Sequence, residues 1–214
     1  MILSHGRKYI FVHVPKTGGT SLALALEGRA MKDDIMLGDT PKAKKRRKRL
    51  RDVDARGRLW KHSTLADIDG LVSPDEIAGM FCFTLVRNPW DRMVSYYHWL
   101  QGQTFDHEAV RLAKTLGFSA FLNTPQVSTG MQQFPYRFYM TDALGVERAA
   151  LYIRLEHFEQ DAAPLWEHLG FRLEFPHENA SERVRDYRDY YSDVDSSRVA
   201  DLCQEDIERF GYAF

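Results

Sequence analysis

KYIFVHVPKTGGTSL, residues Lys8–Leu22, holds a strand, a break and a helix start in close succession. Tyr9–Val14 is an apolar run of β-branched and aromatic residues, which predicts a buried strand. Pro15 ends it. Gly18 and Gly19 allow a tight turn in which the backbone comes close to a ligand. Thr20 or Ser21 is then placed to cap a helix whose apolar body is Leu22–Leu26. The unpaired N–H groups of a first helical turn and the positive end of its dipole attract anions. Lys16 adds a mobile positive charge, and the hydroxyls of Thr17, Thr20 and Ser21 add donors. The expected ligand is a phosphate-like group; the alternative is an ordinary strand-to-helix turn with a solvated lysine.

The chain has 214 residues, a formal net charge of −1 and the hydrophobic and charged fractions of an ordinary globular protein. That length predicts a single domain over 1–214. The balanced charge gives no global case for nucleic acid. Locally the chain is uneven: Lys42–Arg51 reads KAKKRRKRLR, while the last third is rich in Asp and Glu. No apolar run is long enough to span a bilayer, and a few polar residues before the first strand leave no room for a signal peptide. Cys82 and Cys203 belong to no metal-spaced set and read as buried thiols in a reducing compartment. The expected location is the cytoplasm.

Past the first helix, residues 28–58 lose periodicity and read as a long, partly helical surface excursion. Leu59–His62 reads as a short strand, followed by a helix or turn capped by Ser63. Ser73-Pro74-Asp75-Glu76 has the pattern of a capping box with proline at the first helical position. Met80–Val86 is a second strand, apolar on both faces and therefore central and parallel. Asn88 caps, and Pro89 opens, a helix bearing Trp90, Met93, Val94, Tyr97 and Leu100 at helical spacing. A further helix is expected near 107–116. Residues 117–139 look irregular apart from a short helix at 118–122. Ala150–Leu155 reads as a third strand. Single helices are expected over 158–169 and 194–210. Strands alternating with helices predict an α/β fold, a parallel sheet flanked by helices on both faces.

The order of residues in P-K-T-G-G-T-S differs from the common nucleotide loop, where the lysine follows the glycines. With its lysine first, the stretch resembles the 5′-phosphosulfate loop of sulfotransferases that use 3′-phosphoadenosine 5′-phosphosulfate (PAPS), the carbohydrate-type branch in particular. The second motif, VRNPWDRMVSYY, sets Arg87 at a strand end and Ser95 eight residues later on the next helix. It resembles the family's 3′-phosphate motif; the alternative is an Arg87 that pairs with Asp91 at a helix start. The C-terminal third, through IRLEHFEQD, PHENASERVRDYRDYY and DIERFGYAF, is similar to bacterial members. By that resemblance the connection carrying Asn179, Ser181 and Arg183 folds over the nucleotide. The resemblance implies a P-loop-NTPase-like sulfotransferase fold and transfer of a sulfuryl group to a hydroxyl, with a carbohydrate as expected acceptor. It does not reach residues 28–58 or 117–139, which are expected to shape the acceptor side.

The roles follow. Lys16 stabilises charge on the phosphosulfate bridge, while Thr17, Gly18, Gly19, Thr20 and Ser21 hold the 5′-phosphate. Arg87, Ser95, Ser181 and Arg183 bind the rest of the nucleotide. His62, lying between the two phosphate motifs in KHSTLADI, is the expected general base. His13 reads as a buried side chain within the strand. No metal is expected, because the leaving phosphate is already acidic. Two alternatives remain at this level: a P-loop small-molecule kinase, and a non-catalytic module that holds an anionic polymer through Lys42–Arg51.

Overall fold

The computed structural model of the chain describes residues 1–174 and 186–214. They form two compact units, residues 1–86 with 136–174 and residues 87–135 with 186–214.

The first unit holds a sheet of five strands, β1 (Ile2–Ser4), β2 (Tyr9–Val12), β3 (Ile35–Met36), β4 (Phe81–Val86) and β5 (Ala149–Arg154), in the order β3-β1-β2-β4-β5. β2, β4 and β5 are parallel, in a register that pairs Tyr9 with Phe81 and Val86 with Arg154. β1 is antiparallel to both neighbours. The predicted parallel sheet is thus present with a reversed strand beside it. A turn closed by Lys8 N–H to the His5 carbonyl (3.3 Å) makes that hairpin, where only polar lead-in residues were expected.

Alternation along the strands sends successive side chains to opposite faces. Tyr9, Phe11, Phe83, Leu85 and Ile153 meet α1 (Gly19–Gly28) through Leu22 and Leu26. The same cluster takes in α9 (Phe158–Asp161) and α10 (Ala163–Leu169). Ile10, Val12 and Cys82 face the other way, onto Leu65, Ile68 and Val72 and onto Ile77 of α3 (Pro74–Ala78). Phe11 and Phe83 are fully buried with ring centroids 5.4 Å apart. Burying each contributes about 2–3 kcal/mol. Burial pushes the Cys82 thiol up to about 12.

Several local expectations are corrected. Leu59–His62 is a turn and not a strand: Ser63 Oγ accepts from Trp60 N–H (2.9 Å) and lies against the Arg58 and Trp60 carbonyls, which curls the backbone. The excursion over 28–58 contains β3, α2 (Pro41–Arg46) and a 3-10 turn, Arg47–Leu50. The helix expected over 158–169 is two, because Pro164 has no N–H to continue the ladder and opens α10 instead. α3 begins with the predicted capping box, formed by Ser73 and Glu76.

The second unit is helical: α4 (Pro89–Gln101), α5 (Glu108–Thr115), α6 (Phe118–Leu122), α7 (Pro125–Gln133), α11 (Asp193–Leu202) and α12 (Gln204–Phe210). Tyr136–Tyr139, α8, belongs to the first unit. Most of 117–139 is therefore helical, because Pro125 at a first helical position starts α7 within a stretch that has no clear apolar period. The C-terminal helix breaks at Cys203, whose burial also lifts its thiol to about 12. Trp90, Met93, Val94, Tyr97 and Leu100 of α4 face Val110, Phe118, Phe121 and Val199. Among the described residues no helix is long and apolar enough to cross a membrane.

Candidate functional site

The loop between β2 and α1 carries two left-handed residues, Lys16 at φ 66° and Gly18 at φ 81°. Glycine adopts that region freely, whereas lysine does so at a cost. Left-handed residues alternating with ordinary ones turn successive N–H groups toward one side, which makes an anion-binding concavity. The N–H groups of Thr17, Gly18, Gly19 and Thr20 reach no acceptor among the described residues, while Ser21 N–H donates to the Gly18 carbonyl (3.2 Å). The helix cap is Gly18, with no side-chain cap, so the expectation that Thr20 or Ser21 caps α1 is corrected. The glycines satisfy the turn without such a cap. Thr17 is buried, and its hydroxyl donates to the Val14 carbonyl (2.9 Å), which braces the loop from inside. Thr20 is exposed and Ser21 buried.

Gly19 is required for a different reason. A Cβ there would lie 2.6 Å from His13 Nε2, so only glycine lets the imidazole sit under the helix start. His13 is buried and stacks on Phe11 at 5.9 Å. Burial, then the nearby positive charges, hold its pKa well below the usual histidine value, so it is neutral. It is a buried side chain, as the sequence suggests.

His62 lies beside it, the two rings 4.7 Å apart and edge-on. Its Nδ1 is 2.7 Å from the His13 carbonyl oxygen. A carbonyl only accepts, so Nδ1 carries the proton, and in the neutral ring Nε2 then carries the lone pair. This is the tautomer a base needs. The Met1 amino group donates to the Lys61 carbonyl (2.9 Å), anchoring the same turn to β1. Lys16 and His62, far apart in sequence, thus come from one unit, with His13 between the glycine turn and the His62 ring. His13's supporting role is not readable from the chain alone, since a histidine within a strand has no fixed partner.

Arg87 is the first residue after β4 and opens the second unit. Its Nε and Nη2 donate to Asp91 Oδ2 at 2.8 and 2.6 Å, so the ion pair weighed from the sequence is present. Asn88 caps α4 as expected, its Oδ1 accepting from Trp90 N–H at 3.1 Å. Ser95 lies in the second turn of α4, buried, and its hydroxyl has no partner among the described residues. Asn179, Ser181 and Arg183 lie outside the described residues.

No curated protein matches the chain. Among solved structures, the crystal structure of mouse sulfotransferase SULT7A1 complexed with PAP matches with a TM-score of 0.56 and 17% identity. The match covers 96% of this chain and 85% of that one, and it speaks for the fold. The sequence profile described as "Sulfotransferase family" matches residues 1–213. The chain belongs to the sulfotransferase family.

Proposed function

We propose that this chain moves the sulfuryl group of PAPS to a hydroxyl, on a carbohydrate acceptor, and releases 3′-phosphoadenosine 5′-phosphate (PAP). The observation that carries the reading is the loop Pro15–Ser21. Its left-handed Lys16 and Gly18 and its row of unpaired N–H groups suit the 5′-phosphate of such a nucleotide. Bound PAPS would supply an activated sulfuryl group on an already acidic leaving phosphate. Lys16 offsets negative charge at the bridge, the type of electrostatic help on which group transfer of this kind chiefly depends. His62 Nε2 takes the acceptor's proton while Nδ1 stays on the His13 carbonyl. Arg87 and Ser95 are assigned the 3′-phosphate, and Ser181 and Arg183 the nucleotide's remaining contacts, by resemblance. Carbohydrate as the acceptor and PAPS as the donor rest on the sequence motifs.

Calorimetric titration with PAP, beside ADP and AMP, tests the reading. Binding that depends on the 3′-phosphate is expected. Equal affinity for PAP and ADP would overturn the roles of Arg87 and Ser95 and return the kinase reading.

A further inference from the structure

The basic run divides into two sets in the folded chain. Lys42 donates to the Glu27 carbonyl, Arg46 Nη1 to the Asp34 carbonyl (2.8 Å) and Arg49 Nη1 to the Lys32 carbonyl (2.7 Å). Arg47 lies 3.6 Å from Asp39. These four side chains fasten α2 and its 3-10 extension to the end of α1 and the turns after it. Lys44, Lys45, Lys48 and Arg51 are exposed, and their side chains reach no carboxylate or carbonyl among the described residues. They span roughly 10–13 Å along the two helical turns.

At the foot of α2 a half-open cleft of about 280 Å³ begins, with Pro41 on its rim. It runs back to Thr20 and His13 of the phosphosulfate loop region. Glu27, Asp39, Thr40 and Lys61 line it. Thr40 donates its hydroxyl to Glu27, and Lys61 pairs with Asp39 at 3.3 Å. Two carboxylates make the cleft a poor place for an acid group and a good one for hydroxyls, whereas the four free cations beyond its rim favour acid groups.

We infer that the outward face of residues 44–51 is an exosite for an extended anionic glycan, which holds acid groups of the chain while an uncharged hydroxyl segment occupies the cleft. The inference rests on the sulfuryl-transfer reading for the role of the glycan as acceptor. A glycan is favoured over a nucleic acid because residues 42–51 contain no aromatic side chain on which a base could stack.

The test compares the wild type with K44Q/K45Q/K48Q/R51Q, which leaves the inward set intact. The probes are long and short heparin-derived oligosaccharides, a neutral maltodextrin and a single-stranded oligonucleotide, each over a range of salt. The variant is expected to keep its melting temperature and PAP affinity. It should lose about tenfold or more in affinity for the long sulfated probe, with a salt dependence shallower by about three in log–log slope. The short sulfated probe and the maltodextrin should change little. Unchanged affinity and slope for the long probe would overturn the exosite. So would an oligonucleotide that binds more tightly than the glycan and loses as much in the variant. A wild type that fails to bind PAP would instead defeat the sulfuryl-transfer reading, with the glycan arm read independently.

Discussion

Lys16 joins two demands in one residue, a cation at the mouth of the loop and a backbone at φ 66°. Left-handed backbone costs an L-residue about 1–2 kcal/mol, and such strain persists where the surrounding structure enforces it. Lys16→Ala and Lys16→Gly separate the two. Both remove the amino group and should lower turnover by about a hundredfold or more. Lys16→Gly should nevertheless be more stable than Lys16→Ala by about 1 kcal/mol in denaturant melts, because glycine removes the strain. Equal stability would show that the backbone there is unstrained, and full turnover in both would remove Lys16 from the chemistry. The chemical half is assigned from the sequence, from a lysine placed before two glycines. The backbone half was not, because nothing in a lysine signals a left-handed conformation. Thr17 makes the same point: its hydroxyl looked like a ligand donor, yet it is turned inward to Val14.

Elements with local signals were legible, and those fixed by distant contacts were not. The capping box of α3 and the Asn88-Pro89 start of α4 need only neighbouring residues. The break inside 158–169 is the exception, a local signal at Pro164 masked by a good apolar period. Asn88 carries both kinds of information. Its Oδ1 caps α4, while its Nδ2 donates to the Ala213 carbonyl (2.9 Å) and to Tyr187 Oη (3.2 Å), ties that join the start of α4 to the C-terminal segment of the same unit. Asn88→Ala removes all three bonds and should cost about 1–3 kcal/mol. Asn88→Ser can restore the cap alone and should recover part of that loss. Thermal melts that place Ser no better than Ala would assign the whole effect to the C-terminal ties. A loss of only a few tenths in Ala would show that none of the three bonds matters to stability.

At the scale of the molecule, the alternation of strands and helices announced the parallel strands β2, β4 and β5, most clearly β2 and β4, whose burial on both faces makes them almost wholly apolar. It could not announce β1, whose three residues carry no period and whose reversal is made by the turn at His5–Lys8. Nor could it announce that the motifs fall in different units, Lys16 and His62 in the first, Arg87 and Ser95 in the second. Two of the assigned nucleotide contacts therefore reside on a helical unit with its own core, and that has a measurable consequence. On the proposed assignment, bound PAP suppresses opening of each stretch that holds it, by an amount that grows with its concentration over Kd. At about a hundred times Kd, PAP should slow amide exchange roughly a hundredfold wherever exchange requires release of the ligand. The slowing should appear in residues 16–22 and again in 88–95. Adenosine 5′-phosphosulfate, which lacks the 3′-phosphate, should protect the first stretch and leave the second near its unliganded rate. Protection by PAP confined to the first stretch would remove Arg87 and Ser95 from the nucleotide site and leave the Arg87–Asp91 pair as a feature of the helix start alone.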